Sequence, residues 1–557
     1  MKRFSAVILA MTLAAVSFLT GCEEKMNTSE PGPAAEYLEL IQAYEDGKVI
    51  STIANSSGVC SIVFSDGSRL AVPETVIRID DCTDKSPSEV SISSGWWSVN
   101  GVVMALKVET SLSREEAAPV YAYFDKATLH LYLSNREVLH FQSLYLQEQE
   151  QLEAENAKKQ SIPVVRIVTD GGAGIYDKKN YVKGSITIED PVEMYSNVKE
   201  FTARMGIRGR GNSTWDWPKK PWKVKLDEKA SLLGMPADKE WALLANYADR
   251  TLIRNITAMK LSEICGFSWT PRMRSVEVYL NGEYQGVYTL CEHKKVSKDR
   301  VDIDIVTEAD NSGEAVTGGY YLEIEQQLDE TTVWTTGMGV PMMFSDPEEP
   351  TAEQLAYVKG LFADFEAALQ GKDFADPQKG YAAYIDVPSF INFYIVQELT
   401  KNVDGNIRKS SFLTKERGKK LEMYHLWDFD LTLGNCGYFP WELGQDHTGF
   451  WIKDYDSSSH YGGGWFWLLF KDPAFVKAVR DRWNELMPQL EAIPDFIDGQ
   501  VFSLEKARTR NFEKWNINES VDWVMFPSLG TYEKEVKYLK DFYTERLKWL
   551  DREINKL

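Results

Sequence analysis

The spacing of hydrophobic and polar positions changes along the chain and predicts where its structural elements lie. Between residues 50 and 145 apolar and polar residues alternate, as in SIVFSDGSRLAV and ATLHLYLSNREVLHF, with turn residues between the runs. Alternation with a period of two is typical of β-strands that bury one face. We therefore predict a small β-rich domain over residues 50–145.

The next change of pattern marks a domain boundary. Residues 146–160, LQEQEQLEAENAKKQ, have too few apolar positions to pack deeply and predict a linker. Beyond it, YLNGEYQGVYTL at 279–290 predicts a hairpin, because Asn-Gly suits the positive φ angles of a type I′ turn. TLIRNITAMKLSEI at 251–264 and most later segments, such as EQLAYVKGLFADFEAAL and EKEVKYLKDFYTERLKWLDREI, have helical spacing. Residues 161–557 are thus predicted to form an α+β domain, with strands early and helices late.

The N-terminus predicts export. Residues 1–22, MKRFSAVILAMTLAAVSFLTGC, combine two basic residues, an apolar run and a final LTGC, as a secretory signal does. The last four residues resemble the bacterial lipobox, whose cysteine, here Cys22, is acylated. The alternatives are a buried helix or an uncleaved anchor, although the apolar run is shorter than the roughly 20 residues that a membrane span needs. Residues 23–49 would form a spacer, and we expect a lipid-anchored protein of the cell envelope, at the outer membrane, periplasmic or surface-exposed.

Composition limits the ligands that this chain can take. The net charge of -21 argues against nucleic acid or an anionic membrane surface as a partner, because both would repel the protein. An anionic ligand must therefore meet a local basic site or arrive with metal ions. Five cysteines follow Cys22, without CxxC or Cys/His ligand spacing, which argues against zinc. Cys60 and Cys82 are a disulfide pair that export would allow, and this pairing stays open.

A glycine-containing turn and a lysine-rich strand form the first candidate site. They are IRGRGNSTW at 207–215 and KKPWKVKL at 219–226. Glycines let the backbone approach a ligand closely, and the turn is flanked by positive charge, which favours phosphate. The charged residues are Arg208, Arg210, Lys219 and Lys220, with Lys223 and Lys225 on one face of the following strand. The alternative is an ordinary hairpin with solvated lysines.

Carboxylates form the second candidate site. MYHLWDFDLTLGN at 423–435 carries Asp428 and Asp430 in a stretch that otherwise resembles a buried strand and turn, and Asp404 precedes them in ELTKNVDGNIRKSSFL. An ionised aspartate is costly to bury without a partner, and Mg²⁺ takes carboxylate oxygens. Alternation would place Asp428 and Asp430 on one face, where both can serve one metal ion. Alternatively, one aspartate caps a turn and the other pairs with an arginine.

Other features carry less chemistry. A lone histidine in a strand, His425, is more often packed than catalytic. The aromatic runs GWWSV at 95–99 and GWFWLLF at 464–470 suit either a core or stacking on sugars. The sequence contains no GxSxG elbow and no HExxH motif.

Seven stretches in this order resemble the spore coat protein H (CotH) kinase family, secreted or surface-associated proteins with an atypical protein-kinase-like fold. The stretches are GRGNSTW, KKPWKVKL, EWALLANYADRTLIRN, VYLNGEYQGVYTLCE, GGYYLEIE, QELTKNVDG and WDFDLTLGN. The resemblance runs from about residue 161 to the C-terminus. A lipoprotein signal and an added β domain ahead of such a module resemble a Bacteroidetes-type member.

The resemblance implies a nucleotide site. The loop from Gly209 to Trp215 would cover the phosphates of ATP, and Cys291 and Glu292 would lie near the hinge that holds adenine. The phosphate-binding lysine would be Lys223 or Lys225, and the implied nucleotide contacts of the loop are Gly209, Arg210, Gly211, Asn212 and Ser213.

The resemblance also implies catalytic roles. Asp404 would accept the proton of a substrate hydroxyl, and Asp428, with Asp430 as a second ligand, would hold Mg²⁺ or Mn²⁺. The sequence departs from the kinase pattern at Lys409, where some kinases carry a metal-binding asparagine, and Asn406 or Asp430 would have to substitute. The glutamate that pairs with the phosphate-binding lysine is left unassigned, with Glu263 on the predicted helix at 251–264 as a candidate.

The expected activity is transfer of the γ-phosphate of ATP to Ser or Thr of an exported protein. Membrane contact would run through the N-terminal lipid only, and no nucleic acid is expected as a partner. A different class of function stays open, because Lys409 replaces the asparagine and ATP is scarce outside the cytoplasm. In that alternative the protein is a non-catalytic scaffold that binds a glycan or a protein at the envelope.

Overall fold

The computed structural model describes residues 160–557 except 327–331, 404, 406, 438–443, 455–463 and 520–523, and before them the strands given below with residues 66 and 68. The chain divides into two compact units, Met1–Ala157 and Lys158–Leu557. The predicted signal segment with Cys22, the spacer, Cys82 and nearly all of the predicted linker lie outside the described residues.

In the first unit the described residues form three antiparallel sheets of three strands each. The strands pair in chain order, β1-β2-β3, β4-β5-β6 and β7-β8-β9. Their bounds are Ile50–Ser56 (β1), Val59–Phe64 (β2), Arg69–Val72 (β3), Val90–Ser93 (β4), Trp96–Val99 (β5), Val102–Lys107 (β6), Pro119–Asp125 (β7), Thr128–Leu133 (β8) and Val138–Gln142 (β9). The backbone of Cys60 belongs to β2, while its side chain lies outside the described part of the chain.

The second unit begins with a closed barrel of seven strands in the order β10-β11-β12-β13-β14-β16-β15. Strand β15 closes the barrel by pairing in parallel with β10. The bounds are Val164–Thr169 (β10), Val182–Glu189 (β11), Glu200–Gly209 (β12), Trp222–Ala230 (β13), Asp238–Leu244 (β14), Met273–Leu280 (β15) and Glu283–Glu292 (β16).

Alternation along β13 fills the barrel interior. Trp222, Val224 and Leu226 belong to the buried apolar core of the barrel, and the Trp222 ring stacks on Tyr288 at 5.0 Å between centroids. Because side chains alternate across a strand, Lys223 and Lys225 lie on the outer face. The predicted hairpin is confirmed, since Asn281 and Gly282 join β15 to β16 with φ angles of 50° and 83°.

A five-stranded antiparallel sheet and a set of helices follow the barrel. The strand order is β18-β19-β17-β20-β21. The bounds are Tyr320–Ile324 (β17), Val333–Thr335 (β18), Pro341–Asp346 (β19), Ser411–Lys415 (β20), Leu421–His425 (β21), Arg254–Cys265 (α1), Ala352–Gln370 (α2), Val387–Thr400 (α3), Trp465–Leu469 (α4), Pro473–Leu490 (α5), Ile493–Lys514 (α6) and Tyr532–Ile554 (α7). The expected α+β class is therefore confirmed for the described residues.

Helix α1 begins later than its periodicity predicts. The carboxylate of Asp249 accepts hydrogen bonds from the backbone N–H of Thr251 at 2.9 Å and of Arg254 at 2.8 Å. These bonds fold residues 249–253 into a turn, with Leu252 at a φ of 65°, so the helix starts only at Arg254. Gly266, at a φ of 72°, ends it in the left-handed conformation that glycine adopts readily.

Helix α6 connects the helical part to the barrel, because it packs against β16. Lys219, which is 1% exposed, donates from Nζ to the Asn511 side-chain oxygen at 2.9 Å and to the Val287 carbonyl at 2.6 Å. Nearby, Arg510 Nε donates to Glu277 Oε1 at 2.8 Å. The barrel therefore has fixed contacts with an element from the far end of the sequence.

A buried ion pair holds the C-terminal helices together. Arg546 Nη2 on α7 lies 2.7 Å from Glu398 Oε1 on α3, and both side chains are fully buried. The Glu398 carboxylate also accepts from the backbone N–H of Ile452 at 2.9 Å, and Arg546 Nη1 donates to the Gly449 carbonyl at 2.7 Å. The pair thus fixes the chain segment that passes between α3 and α7. Among the described residues, every helix is too short or too polar to span a bilayer.

We predict that Arg546→Met destabilises the protein by about 3–5 kcal/mol, because removing one member of a buried pair leaves the other charge uncompensated. Urea denaturation, followed by tryptophan fluorescence, measures the change in unfolding free energy. Lys537→Met is the matched control, since Lys537 pairs with Asp541 on the exposed side of α7 and should change stability by less than about 1 kcal/mol. Equal effects of the two substitutions would contradict the prediction.

Candidate functional site

A cleft of about 280 Å³ lies between the barrel and the sheet of the C-terminal part. Its wall on the barrel side comes from the turn after β12 and from the residues after β14. The opposite wall comes from β17 and from the segments before β20 and after β21. The lining residues with polar or charged side chains are Arg210, Asn212, Ser213, Thr214, Asn246, Tyr247, Asn255, Lys294, Glu323, Glu325, Lys409, Ser410, Asp428 and Asp430.

The turn after β12 is a compact loop that needs its glycines. Gly211 has a φ of 83°, and the chain then makes a short 3-10 turn at Ser213–Trp215. A Cβ atom on Gly209 would lie 2.5 Å from the Trp215 ring, so no larger residue fits there without movement of the ring. The loop therefore presents its backbone and the side chain of Arg210 to the cleft.

Arg210 reaches across the cleft to residues 427–430, the WDFD segment. Its guanidinium carbon lies 5.7 Å from the centroid of the Trp427 ring. Burial lowers the pKa of Arg210, while the negative charges of Asp428 and Asp430 act in the opposite direction. Arginine stays protonated under such conditions, so a cation faces the two carboxylates. Arg210 is thus an electrostatic partner of the aspartates in WDFD.

The two aspartates face the cleft because the residue between them is buried. Strand β21 ends at His425, and Asp428 then adopts a φ of 67°, so the extended stretch expected from alternation is replaced by a turn. Phe429 is fully buried, and its backbone N–H donates to the Asn255 side-chain oxygen at 2.7 Å. Both carboxylates line one cleft, although the extended stretch on which the prediction rested is absent there.

Residues beyond the WDFD turn are fixed by α1. Arg254 Nε donates to the Thr432 carbonyl at 3.0 Å, and Arg254 Nη1 lies 2.6 Å from Asp249 Oδ1. Asn435 Nδ2 donates to the Ala248 carbonyl at 2.7 Å. Residues 248–255 therefore hold the loop that carries Asp428 and Asp430.

The segment that follows Asp404 contributes two further residues to the cleft. Lys409 and Ser410 both line it, and Ser410 Oγ lies 3.5 Å from Asp428 Oδ2. Ser410 has a φ of 51°, an uncommon conformation for a serine. Asp404 and Asn406, the predicted base and the alternative metal ligand, lie outside the described residues.

The donors in the cleft suit a hard divalent cation. Within the part of the chain that the structure describes, no three His, Cys, Asp or Glu side chains are grouped to hold a metal ion. Mg²⁺ is commonly bound by one or two carboxylates, with phosphate and water completing its shell. Asp428, Asp430 and the adjacent Ser410 hydroxyl offer such oxygens, so these residues fit Mg²⁺ or Mn²⁺ bound together with a phosphate ligand.

Several residues of the sequence-based site lie outside the cleft lining. Lys223 Nζ lies 2.6 Å from Glu240 Oε2, and burial lowers the pKa of Lys223 while Glu240 opposes that shift. Lys225 Nζ lies 3.9 Å from Glu240 Oε1. Glu292 is buried against Arg272 Nη1 at 3.0 Å, and burial raises its pKa. The cleft lining therefore contains neither of the two lysines nor Glu292.

The cleft lining also lacks three basic residues of the first candidate site and the candidate glutamate Glu263. Lys219 is bound to Asn511, Lys220 Nζ donates to the Trp215 carbonyl at 2.6 Å, and the Arg208 guanidinium stacks over Tyr181 at 5.0 Å. Glu263, the candidate partner of the lysine, does not pair with Lys223. Glu263 is exposed on α1 with Lys260 Nζ 3.0 Å away, and Glu240 is the glutamate beside Lys223.

The structure adds cleft residues that sequence reasoning missed. Lys294 forms an ion pair with Glu323 and lies over the Phe412 ring, 4.2 Å from its centroid. Glu325 and Asn255 also line the cleft. Three of these four residues belong to the stretches GGYYLEIE and DRTLIRN, which carry the resemblance, so the signal was present although no role was assigned to it.

The aromatic run at 464–470 is mainly core. Trp465 and Phe466 are buried, and only Trp467, at 37% exposure, has substantial contact with solvent, with Lys471 Nζ 3.3 Å from its ring centroid. The side chains of the run at 95–99 lie outside the described part of the chain. The run at 464–470 therefore offers one exposed ring, that of Trp467.

A model of the CotH kinase protein family matches residues 207–550, which is more than half of the chain. The chain therefore belongs to the CotH kinase family. A comparison with curated proteins found no match. The matched range contains both walls of the cleft, from the loop at Arg210 to Asp430.

His425, at the end of β21, is packed and neutral, as expected for a histidine in a strand. It stacks on Phe412 at 4.3 Å between centroids, and its Nε2 lies 2.7 Å from the Tyr321 hydroxyl. Burial lowers the pKa of His425 from 6.5 to about 3, and the positive charge of Lys294 adds to this effect. Between pH 6.5 and about 3, His425 therefore binds a proton in the unfolded chain but not in the folded protein.

We predict that this difference lowers stability as the pH falls from 6.5 towards about 3, with a slope from His425 approaching about 1.4 kcal/mol per pH unit. His425→Gln removes the titrating group and should flatten the dependence over this range. Urea denaturation of both proteins at pH 7, 6, 5 and 4 measures it. Parallel stability curves for wild type and variant would contradict the prediction.

Proposed function

We propose that this CotH family member is an exported, lipid-anchored protein kinase that transfers the γ-phosphate of ATP to Ser or Thr of an exported protein, with Mg²⁺ or Mn²⁺. One observation carries the proposal. A glycine loop with Arg210 faces Asp428 and Asp430 across a single cleft, so donors for phosphate oxygens and ligands for a cation converge there. Phosphoryl transfer depends mainly on such positioning and on neutralisation of charge.

Residues on the two walls of the cleft would bind different parts of the ligand, the phosphates and the metal ion. The Arg210 guanidinium and the backbone of the loop at Gly211–Ser213 would bind phosphate oxygens, since a charged fork and N–H groups suit anions. Asp428 and Asp430 would hold the divalent ion, which would supply positive charge to the phosphates. Lys294, beside Glu323, places a further cation in the same cleft. These residues explain how a strongly acidic protein can bind a polyanion.

Asp404 would act as the base that orients the substrate hydroxyl. The support for this role is the resemblance of QELTKNVDG to the catalytic segment of the family. Of its described neighbours, Asn402 accepts a hydrogen bond from the Gly405 N–H at its side-chain oxygen, at 2.8 Å. A positioned carboxylate can accept the proton of the attacking hydroxyl.

Export and anchoring rest on the N-terminal sequence. The apolar run followed by LTGC supports cleavage before Cys22 and acylation of that cysteine. This signal, with a β-rich domain ahead of the kinase-like module, supports an envelope protein of the Bacteroidetes type. The phosphate acceptor would then be another exported protein. The net charge of -21 supports a tether through lipid rather than through a basic surface.

A second candidate is a binding scaffold without transfer activity. Lys409 lines the cleft at the position where some kinases carry a metal-binding asparagine, and this observation favours a site that has lost a metal. Isothermal titration calorimetry separates the two functions. Nucleotide binding that requires Mg²⁺ or Mn²⁺ supports the kinase, whereas glycan binding without metal supports the scaffold.

We predict that Asp428→Asn and Asp404→Asn separate binding from chemistry. Asp428→Asn should abolish metal-dependent ATP affinity while the fold survives, because asparagine tolerates the φ of 67° at this position. Asp404→Asn should keep ATP affinity and lose roughly two to four orders of magnitude in turnover, the usual contribution of a positioned base. Calorimetry with and without EDTA, together with transfer of labelled phosphate, measures both effects.

Asp216→Asn is the matched control, because Asp216 is exposed beside the loop and does not line the cleft. It removes one negative charge and should leave affinity and turnover unchanged. If Asp428→Asn lowers the thermal stability of the metal-free protein by several degrees, Asp428 is a structural partner of Arg210 and the proposed metal site is wrong.

A further inference from the structure

Asn255 occupies a central place in the cleft, although no role has been given to it. It is the second residue of α1, is 7% exposed, and lines the cleft together with Asp428 and Asp430. Its side-chain oxygen accepts the backbone N–H of Phe429 at 2.7 Å. Phe429 separates the two aspartates, so Asn255 binds the centre of the WDFD segment.

This hydrogen bond fixes the orientation of the carboxamide. A backbone N–H can only donate, so the atom that faces Phe429 is the amide oxygen and the Nδ2 amino group lies on the other branch. The Nδ2 group supplies two N–H donors and no acceptor. The side-chain oxygen of Asn255 is thus bound to the backbone of Phe429, while its Nδ2 group is a donor on a side chain that lines the cleft.

The backbone beneath Asn255 is held firmly. The adjacent Arg254 is 1% exposed, forms an ion pair with Asp249 at 2.6 Å and donates to the Thr432 carbonyl at 3.0 Å. The start of α1 and the loop after WDFD are therefore joined by a buried side chain. A donor fixed in this way needs little reorganisation to meet a ligand.

We propose that Asn255 contacts the phosphate chain of the nucleotide through Nδ2 while its oxygen positions the WDFD segment. The inference rests on the proposed kinase function and deepens it. A neutral donor next to two carboxylates can bind a phosphate oxygen without displacing the cation that those carboxylates hold. A purely structural asparagine would bind Phe429 and nothing else. The two roles therefore predict different effects of substitutions at Asn255.

Asn255→Asp separates the two roles, because it keeps an oxygen for the Phe429 N–H but replaces the donor with a negatively charged acceptor. We expect normal hydrogen exchange at Phe429 and a roughly 10- to 100-fold loss of affinity for Mg²⁺ with an ATP analogue. Affinity for adenosine, which has no phosphate, should be unchanged. Asn255→Ala should increase exchange at Phe429 and also weaken binding of the analogue.

The measurements are calorimetry and hydrogen exchange on the full chain. Asn484→Asp is the matched control, since it adds the same charge at an exposed position on α5 and should alter neither measurement. Wild-type affinity for the analogue in Asn255→Asp would overturn the role of Asn255 and leave the kinase proposal standing. A wild-type protein that binds no analogue with Mg²⁺ or Mn²⁺ would overturn both.

If Asn255→Asp fails to fold, Asn255→Ala decides the question. The proposal predicts that alanine weakens binding of the ATP analogue while affinity for adenosine stays at the wild-type value. An equal loss for both ligands, or a loss for neither, would overturn it.

Discussion

The buried ion pair of Arg254 and Asp249 is the interaction on which the site depends. Both side chains are 1% exposed, and the pair joins the turn before α1 to the Thr432 carbonyl in the loop after WDFD. A guanidinium in such a place requires complete pairing, since an unpaired buried charge is very costly. The loop that carries Asp428 and Asp430 is therefore held at Thr432 by Arg254, which lies 178 positions before Thr432 in the chain.

The barrel, which supplies one wall of the cleft, is joined to α6 by a second group of contacts. Lys219 follows the glycine loop, yet its ammonium is bound to Asn511 on α6, and burial lowers its pKa well below the usual range. The hydrogen bonds of Lys219 to Asn511 and Val287 fix the base of the loop. Arg210, at the other end of the same loop, faces the aspartates. The loop is thus anchored on one side and presented to the cleft on the other.

Local signals in the sequence predicted the elements and part of the site. Periodicity predicted α2 and α7, and Asn281-Gly282 predicted the hairpin. Asp428 and Asp430 line one cleft, but through a turn rather than through the alternation of a strand. Which basic residues face that space could not be predicted, because this depends on contacts between distant segments. Lys223 pairs with Glu240 on the neighbouring strand, and Lys219 binds Asn511, which is 292 residues away. Arg210, which the sequence analysis named, lines the cleft together with Lys294, which it did not name.

In the proposed kinase, a divalent cation and the phosphates of a nucleotide meet between the Arg210 loop and the WDFD segment. A crystal structure with Mn²⁺ and a non-hydrolysable ATP analogue, using the anomalous signal of the metal, tests it most directly. The account predicts an anomalous peak coordinated by Asp428 and by phosphate oxygens that also contact Arg210. A nucleotide bound elsewhere, or a cleft in which Asp428 and Arg210 contact each other without metal or phosphate between them, would contradict it.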